Sequence, residues 1–171
     1  MNYATIKDYD IANGPGVRVS LFVSGCVHHC KDCFNPEAWD FDYGEPFTET
    51  VMERILTMMR PEYIRGITYL GGEPFDPHNQ PGLLELTRKI RAAYPDKSIW
   101  SFTGYVYGQN LPQLPGVTEE LLAGLDVLVD GPFIASLKNL GLRFRGSENQ
   151  RLIDMPKTLR TGAVVLWDET Q

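Results

Sequence analysis

The chain has 171 residues and a formal net charge of −6, with 22 acidic residues against 16 basic ones. This length suits one substantial core and is too short for two ordinary domains, so we expect a single domain over 1–171. The acidic excess excludes a broad cationic surface for a nucleic-acid backbone. No apolar run is long enough to span a bilayer, and the first residues lack the apolar core of a signal peptide. We therefore expect a soluble cytoplasmic protein with neither nucleic acid nor membrane as a partner.

Short runs of β-branched and aromatic residues alternate with helix-like patterns along the chain. The strand-like runs are 17–24, 66–70, 98–103, 126–130 and 163–167. The helix-like segments are 48–60, 81–94 and 118–125. This alternation indicates parallel strands joined by right-handed crossovers, either in an open doubly wound sheet or in a complete or partial barrel.

Glycine and polar residues follow the carboxyl end of each of the first four strand-like runs. They lie at 24–26, 71–74, 103–105 and 130–132. In parallel α/β folds the carboxyl ends of the strands share one edge, where binding sites are built. The sequence therefore predicts that these four loops form one active site.

All three cysteines of the chain, Cys26, Cys30 and Cys33, lie within one short segment. They are too few and too close for the disulfide framework of a small secreted protein, and are placed as ligands of one metal centre. On a four-iron cluster, three thiolates leave one iron open for an exogenous ligand. The same cysteines also fit a zinc site completed by His28 or His29, histidines that are otherwise solvent-side loop residues. A thioredoxin-type redox pair of Cys30 and Cys33 would leave Cys26 without a role.

The spacing of three and then two residues between the cysteines, followed by Phe34, resembles the signature of the radical S-adenosylmethionine superfamily. The resemblance implies one [4Fe-4S] cluster on the three cysteines, with S-adenosylmethionine bound to the open iron. In this superfamily the reduced cluster cleaves S-adenosylmethionine to methionine and a 5'-deoxyadenosyl radical. The cofactor carries that chemistry, while the protein positions it and excludes water.

The glycine-rich segment Gly71, Gly72 and Glu73 is a second candidate for cofactor binding. Paired glycines let backbone approach a ligand closely, and free carbonyls there accept hydrogen bonds from an ammonium group. Alone, the segment fits a strand-to-helix turn better than a binding site. Beside the cysteine loop, it resembles the superfamily motif that holds the methionine amino group. We expect a side chain at Gly72 to obstruct the cofactor more than it disturbs the core.

Four further residues belong to the expected cofactor-binding set through their position in the chain. Asp32 and Phe34 match positions near the adenosyl moiety in the superfamily, where an aromatic ring stacks on adenine. Ser101 and Thr103 end the third strand-like run and are candidate hydroxyl contacts to the cofactor or to a bound ion. They fit the alternative of satisfied strand-end hydroxyls equally well.

Asp130 completes this set, because a carboxylate that closes a buried strand needs a partner. Arg18, a backbone group, a cation or the substrate complex would each serve. We expect no catalytic side chain beyond the cluster and the cofactor.

Stretches over nearly the whole chain resemble the anaerobic ribonucleoside-triphosphate reductase activating proteins, a group of glycyl-radical-enzyme activators. They are 13–18, the cysteine loop, 71–74, 100–105, 127–133 and 145–151. No cysteine occurs in 34–70, which excludes the additional cysteine-ligated clusters of many longer activators. The resemblance implies an α/β fold, a partial TIM-type barrel of about six β/α units with a parallel curved sheet.

The same resemblance implies that the chain generates a glycyl radical on the catalytic subunit of anaerobic (class III) ribonucleoside-triphosphate reductase. A small flavoprotein such as flavodoxin would be the reductant. One alternative is an activator of another glycyl-radical enzyme, such as a formate-lyase. The other is a zinc-stabilised interaction module without enzymatic activity. The polar stretch 143–151 fits a lining of the site's lateral opening, a partner contact or a solvated loop.

Overall fold

The computed structural model describes residues 1–171. The chain forms one mixed seven-stranded β-sheet that is flanked by helices. The strands are β1 (Asn2–Asp10), β2 (Val17–Val23), β3 (Glu45–Pro46), β4 (Ile64–Gly71), β5 (Ser98–Phe102), β6 (Val127–Asp130) and β7 (Arg151–Asp154). The helices are α1 (Glu49–Met58), α2 (Gln80–Ala93), α3 (Thr118–Ala123) and α4 (Met155–Thr161). The strand order across the sheet is β3-β1-β2-β4-β5-β6-β7.

The four central strands β2, β4, β5 and β6 pair in parallel. Helices α1, α2 and α3 connect them in turn, and neighbouring helices contact one another. Right-handed crossovers between successive parallel strands place such helices on one face of the sheet. The apolar residues Leu83, Leu86 and Ile90 of α2 are accordingly fully buried in the main core.

The expected partial TIM-type barrel is not confirmed, although the α/β class is. The sheet is open, because its order ends at β3 on one side and at β7 on the other. Both flanks are antiparallel: β1 pairs with β2, and β7 pairs with β6. Three β/α crossovers thus link four parallel strands, where about six units were expected.

The expected strand at 163–167 is wrong. Only Leu166 makes an isolated bridge there, with Ile153 of β7. Instead, the ring of Trp167 lies edge-on to that of Trp100, with centroids 5.0 Å apart, and Phe144 contacts Trp100 in the same way at 5.5 Å. These aromatic residues cover the face of the sheet opposite the helices. The segment around Leu166 makes two backbone hydrogen bonds to β7, from Asp154 N to Val165 O and from Trp167 N to Leu152 O, but it is too short to form a strand.

The three expected helices are confirmed, each within a few residues of its expected bounds. Thr48 precedes α1, and its Oγ1 accepts a hydrogen bond from the backbone N–H of Val51 at 3.4 Å, as a helix N-cap does. Pro81 lies in the first turn of α2. None of the helices is both long and apolar enough to cross a membrane.

Arg18 on β2 is fully buried beneath the aromatic cover. Its guanidinium donates to Thr68 Oγ1 at 2.9 Å and to Ser98 Oγ at 2.8 Å, and lies 5.5 Å from the Trp100 ring. Burial lowers the pKa of Arg18 to about 10. Because these groups occupy its guanidinium, Arg18 is not the partner of Asp130.

Candidate functional site

The loops that follow β2, β4, β5 and β6 line one cleft at the carboxyl edge of the parallel strands. The convergence expected from the sequence is therefore present. The expected site residues that line this cleft are Cys26, Cys30, Cys33, Phe34, Gly71, Gly72, Glu73 and Thr103.

The cysteine loop places its three thiols on the cleft, each partly exposed and none in a disulfide. Residues His29 and Asp32 adopt positive φ angles of 47° and 60°, which turn the loop back on itself. Burial raises the pKa of Cys26 to about 11, and the negative charge of Glu73 adds to this rise. The free Cys26 thiol is thus protonated at neutral pH, and a metal centre must displace that proton.

The base of the cysteine loop is held by backbone hydrogen bonds. Gly25 N donates to Ala38 O at 2.7 Å, and Cys26 N donates to Trp39 O at 3.2 Å. Gly25 has a φ of 96°, and a Cβ there would lie 2.1 Å from the ring of Phe41. Only glycine fits this turn, from which the chain enters the cleft.

The Gly71–Glu73 turn packs directly against this base. Gly72 N donates to Val23 O at 2.7 Å, and Glu73 N donates to Gly25 O at 2.7 Å. A Cβ at Gly72 would lie 2.5 Å from Gly25 O and 3.0 Å from Ala38 O. A side chain at Gly72 would therefore first displace the backbone of the cysteine loop, an effect that the expectation of cofactor obstruction did not include. The Gly72 carbonyl oxygen accepts no hydrogen bond within the chain.

The carboxylate of Glu73 joins three of the loops around the cleft, and its residue is only 1% exposed. Its Oε1 accepts hydrogen bonds from Phe75 N and Thr103 Oγ1, both at 2.8 Å. Its Oε2 accepts one from Gly104 N at 2.7 Å and lies 2.7 Å from His28 Nε2. Since both oxygens are occupied, the backbone of the glycine-rich turn, rather than the Glu73 side chain, is free for a ligand.

The two histidines of the cysteine loop differ in their surroundings. The His28 side chain is 17% exposed, and its ring also contacts the ring of Tyr105, with centroids 4.5 Å apart. His29 is exposed and stacks on Trp39 at 4.4 Å. The solvent-side expectation is thus wrong for His28. No group of three or more His, Cys, Asp or Glu side chains is arranged to hold a single metal ion.

Ser101 and Asp130 do not line the cleft. Ser101 is fully buried, and its hydroxyl donates to Phe102 O at 3.2 Å. The Asp130 carboxylate accepts hydrogen bonds from Arg151 Nε at 3.0 Å and Arg151 Nη2 at 2.5 Å, and from Tyr107 N at 2.8 Å. Arg151 was not among the side chains expected to pair with Asp130.

The other two members of the expected set lie at or beyond the rim of the cleft. Asp32 is exposed on the cysteine loop and does not line the cleft. Phe34 lines the mouth of the cleft with 91% of its surface exposed, and its ring centroid lies 6.3 Å from that of Phe133. An exposed ring at this position is open to stacking by a planar ligand.

A short segment at the start of β7, which we call the clasp (Asn149, Gln150 and Arg151), supports the opposite wall of the cleft. Asn149 Nδ2 donates to Pro132 O at 2.7 Å, and Gln150 Nε2 donates to Gly131 O at 3.0 Å. The stretch 143–151 was expected to line the opening, to contact a partner or to be a solvated loop. Its residues Gly146 and Gln150 line the cleft, and the clasp supports the cleft wall. The two stretches 127–133 and 145–151 form one structural unit.

Asn13, Gly104 and Gln150 also line the cleft, although none of them was among the expected site residues. Asn13 and Gln150 lie in stretches that carry the family resemblance, which was the available indication. Gly104 directly follows the candidate Thr103. Its importance lies in the space it leaves, because a Cβ there would lie 2.5 Å from Cδ2 of His28.

Comparisons with known proteins agree with this arrangement. Residues 12–153 match the family described as a 4Fe-4S single cluster domain. The chain is 42% identical over 152 residues to the anaerobic ribonucleoside-triphosphate reductase-activating protein of Escherichia coli (strain K12), covering 88% of this chain and 96% of that protein. It is 41% identical to the protein of the same name from Vibrio cholerae, with the same coverage. It is 39% identical to that of Enterobacteria phage T4, covering 89% of this chain and 93% of the phage protein.

Proposed function

We propose that this chain, which belongs to the family of anaerobic ribonucleoside-triphosphate reductase-activating proteins, generates a glycyl radical on the catalytic subunit of an anaerobic (class III) reductase. The meeting of three free thiols and the Gly71–Glu73 turn on one cleft carries this proposal. When bound, a reduced [4Fe-4S] cluster supplies one electron that cleaves S-adenosylmethionine to methionine and a 5'-deoxyadenosyl radical, which takes a hydrogen atom from a glycine Cα. A small flavoprotein such as flavodoxin is the proposed electron donor, in the cytoplasm.

The donor set of the cysteine loop fits such a cluster. Cys26, Cys30 and Cys33 are free, share one cleft and are the only cysteines of the chain. Three thiolates leave one iron for a non-protein ligand, whereas closed structural sites take four protein ligands. We therefore assign the cluster to these three residues.

The surroundings of the cysteines suggest how the chain would hold S-adenosylmethionine. The Gly72 carbonyl, which has no partner within the chain, is a free acceptor for the methionine ammonium group. The exposed ring of Phe34 at the mouth suits stacking on adenine. Thr103 Oγ1 donates to Glu73 Oε1 at 2.8 Å. Both side chains are therefore occupied, and they would shape the cleft rather than bind the cofactor directly.

Three members of the expected set take an indirect part in this proposal. Asp32 lies outside the cleft, next to Cys33 on the cysteine loop. The Ser101 hydroxyl donates to Phe102 O, and the Asp130 carboxylate accepts hydrogen bonds from Arg151 and from Tyr107 N. We propose no direct contact of these side chains with the cofactor, and assign Asp130 to the support of the cleft wall.

The two rival functions have less support. The names of the relatives favour an anaerobic ribonucleotide reductase over a formate-lyase as the target. The zinc-stabilised module requires a fourth ligand beside the cysteines, yet His28 is bound to Glu73 and His29 stacks on Trp39.

Anaerobic reconstitution followed by electron paramagnetic resonance tests the proposal. With reductant, S-adenosylmethionine and the cognate reductase, we expect 5'-deoxyadenosine and a glycyl-type doublet that disappears when the target glycine is replaced by alanine. An intact cluster that cleaves S-adenosylmethionine but leaves the reductase radical-free would contradict the choice of target. Purified protein that holds zinc and shows no iron-sulfur absorption would favour the interaction module.

A further inference from the structure

We propose that His28 is a positioning residue that fastens the cysteine loop to the Gly71–Glu73 turn and so fixes the cluster ligands relative to the cofactor-binding backbone. The inference rests on the proposed function of the cleft. It concerns a side chain that lies between two of the cluster ligands in the chain, Cys26 and Cys30, but is not itself assigned as a ligand.

The polar contact of His28 reaches across the fold. Its Nε2 lies 2.7 Å from Glu73 Oε2, which is 45 residues further along the chain. A carboxylate oxygen only accepts hydrogen bonds, so Nε2 carries the hydrogen and donates it. The other acceptor positions of Glu73 are taken by Phe75 N, Thr103 Oγ1 and Gly104 N, so the carboxylate is itself held firmly.

The imidazole ring of His28 is also enclosed by its neighbours. The position where a Cβ of Gly104 would stand lies 2.5 Å from His28 Cδ2, so the ring packs directly on the glycine backbone. The ring of Tyr105 contacts it edge-on with centroids 4.5 Å apart. A ring held at its polar end and packed on two sides has one orientation, which is what a positioning residue requires.

The hydrogen bond between His28 and Glu73 is important because the cysteine loop has few other hydrogen bonds. Within 27–34, the bond between His28 and Glu73 is the only hydrogen bond that reaches beyond the neighbouring Cys26 to the rest of the chain. The bond from Cys33 N to Cys30 O at 3.2 Å stays within the loop. The segment that carries two of the three cluster ligands is therefore tied down, beyond its base, through His28.

This tie also sets the distance between the two halves of the cofactor site. Glu73 directly follows Gly72, whose free carbonyl is the proposed acceptor for the methionine ammonium group. A loop released from Glu73 would let the cysteines move relative to that carbonyl. Groups that orient metal ligands typically change metal affinity about 10–100-fold when they are replaced.

Amide substitutions separate the role of the hydrogen bond from that of the imidazole. In His28→Gln the amide nitrogen stands near the position of Nε2 and can still donate to Glu73, whereas in His28→Asn it stops near the position of Nδ1. His29→Asn is the matched control, because it makes the same change at the adjacent residue, and asparagine tolerates the positive φ of 47° found there. His28→Ala removes the donor without adding an amide.

The first measurement is the rate at which a chelator removes iron from reconstituted protein, and the second is the S-adenosylmethionine concentration needed to change the electron paramagnetic resonance spectrum of the reduced cluster. We expect His28→Asn and His28→Ala to lose iron at least about 10-fold faster and to need more S-adenosylmethionine. His28→Gln and His29→Asn should stay within about 2-fold of the unsubstituted protein. Loss of the bond to the buried Glu73 carboxylate should lower the thermal stability of apo His28→Asn and His28→Ala, so iron release is compared at a temperature at which every apo form is folded.

Wild-type iron retention in His28→Asn or His28→Ala would overturn the proposal. So would a His28→Gln variant as defective as His28→Asn, because the imidazole itself, and not its hydrogen bond, would then be required. Neither measurement uses the reductase. A protein that shows the expected His28 effects but leaves the reductase radical-free would therefore refute the proposed target and leave the positioning role standing.

Discussion

The two sides of the cleft are each built around a buried carboxylate, but the carboxylates have different partners. On the cysteine side, Glu73 accepts hydrogen bonds from backbone and side-chain groups of three loops, including His28. On the clasp side, Asp130 forms a bidentate ion pair with Arg151. Both residues are 1% exposed. The burial of a carboxylate at a strand end therefore does not by itself distinguish the two sides; the difference is that a partner of Glu73 comes from the cysteine loop.

Two asparagines, one on each side, repeat this contrast. Asn79 Nδ2 donates to Ser24 O at 3.0 Å and to Glu73 O at 2.9 Å, which joins the base of the cysteine loop to the glycine-rich turn. Asn149 Nδ2 donates only to Pro132 O. The Oδ1 of each asparagine is buried without a partner, so both residues act through their donors. The cysteine side is therefore joined by more internal contacts than the clasp side.

The largest expected effect is on the cysteine side alone. Replacing Cys26, Cys30 or Cys33 individually by alanine should abolish the stable cluster and the cleavage of S-adenosylmethionine, because two thiolates do not hold a four-iron cluster. The apo fold should change by less than about 1 kcal/mol, since these thiols are only partly buried and form no disulfide. Iron analysis and visible absorption measure the first result, and denaturant unfolding of the apo protein measures the second. A fully active variant at any of the three positions would refute the ligand assignment.

On the clasp side, we expect Asp130→Ala to lower the stability of the fold and to leave the cluster in place. This change leaves Tyr107 N without its acceptor and the Arg151 guanidinium with only Tyr107 O, which should cost about 2–4 kcal/mol of unfolding free energy. We expect less than for a fully buried pair, because the Arg151 side chain is 35% exposed. Cluster content per folded protein should stay unchanged. Denaturant unfolding and iron analysis test both statements, and a cluster lost from stably folded Asp130→Ala would remove the distinction between the two sides.

The sequence alone was sufficient to predict the elements with strong local patterns. The apolar spacing of α1 and α2 and the β-branched runs of β2 and β4 to β6 are recognisable without any tertiary information. β1 and β7 were missed, because both are antiparallel flanking strands and the alternation suggested parallel pairing only. The apolar residues at 163–167 resemble a strand locally, but Trp167 packs on Trp100 instead. In β1, β7 and 163–167, the structure that forms depends on packing or pairing with residues distant in sequence.

The site was predictable to the extent that its residues are consecutive. The cysteines and the glycine-rich turn are short motifs, so their positions on the cleft followed from the ends of the strands. The bond between His28 and Glu73 and the pairing of Asp130 with Arg151 join residues 45 and 21 positions apart. No local pattern encodes such partners, and for this reason His28 was taken for a solvent-side residue and Asp130 for a cofactor contact.

A smaller effect is expected at Gly72, where the glycine-rich turn touches the cysteine loop. In Gly72→Ala the new Cβ would meet Gly25 O at 2.5 Å, so the backbone must shift at a cost of about 1–3 kcal/mol. Iron should also leave the cluster faster, because the base of the loop moves. Gly162→Ala is a control, since its Cβ would meet nothing within 4 Å, although the φ of 75° adds strain of about 1–2 kcal/mol. Equal iron release in the two variants would contradict the proposed contact between turn and loop.

The smallest effect is expected for Asn149→Ala. Comparing it with Asn79→Ala measures the difference in stability and iron retention when one asparagine donor is lost on each side. Pro132 is partly exposed, so water can replace the Asn149 donor, and removal of the unpartnered Oδ1 offsets part of the loss. We expect a cost below about 1 kcal/mol and unchanged iron retention. Asn79→Ala should cost about 1–3 kcal/mol, because the buried Ser24 carbonyl loses its donor, and should also speed the release of iron. Denaturant unfolding of the apo forms and chelator kinetics of the reconstituted forms measure both. If the two variants lose stability and iron equally, the contacts on the two sides are equivalent, and the special role assigned to the cysteine side is wrong.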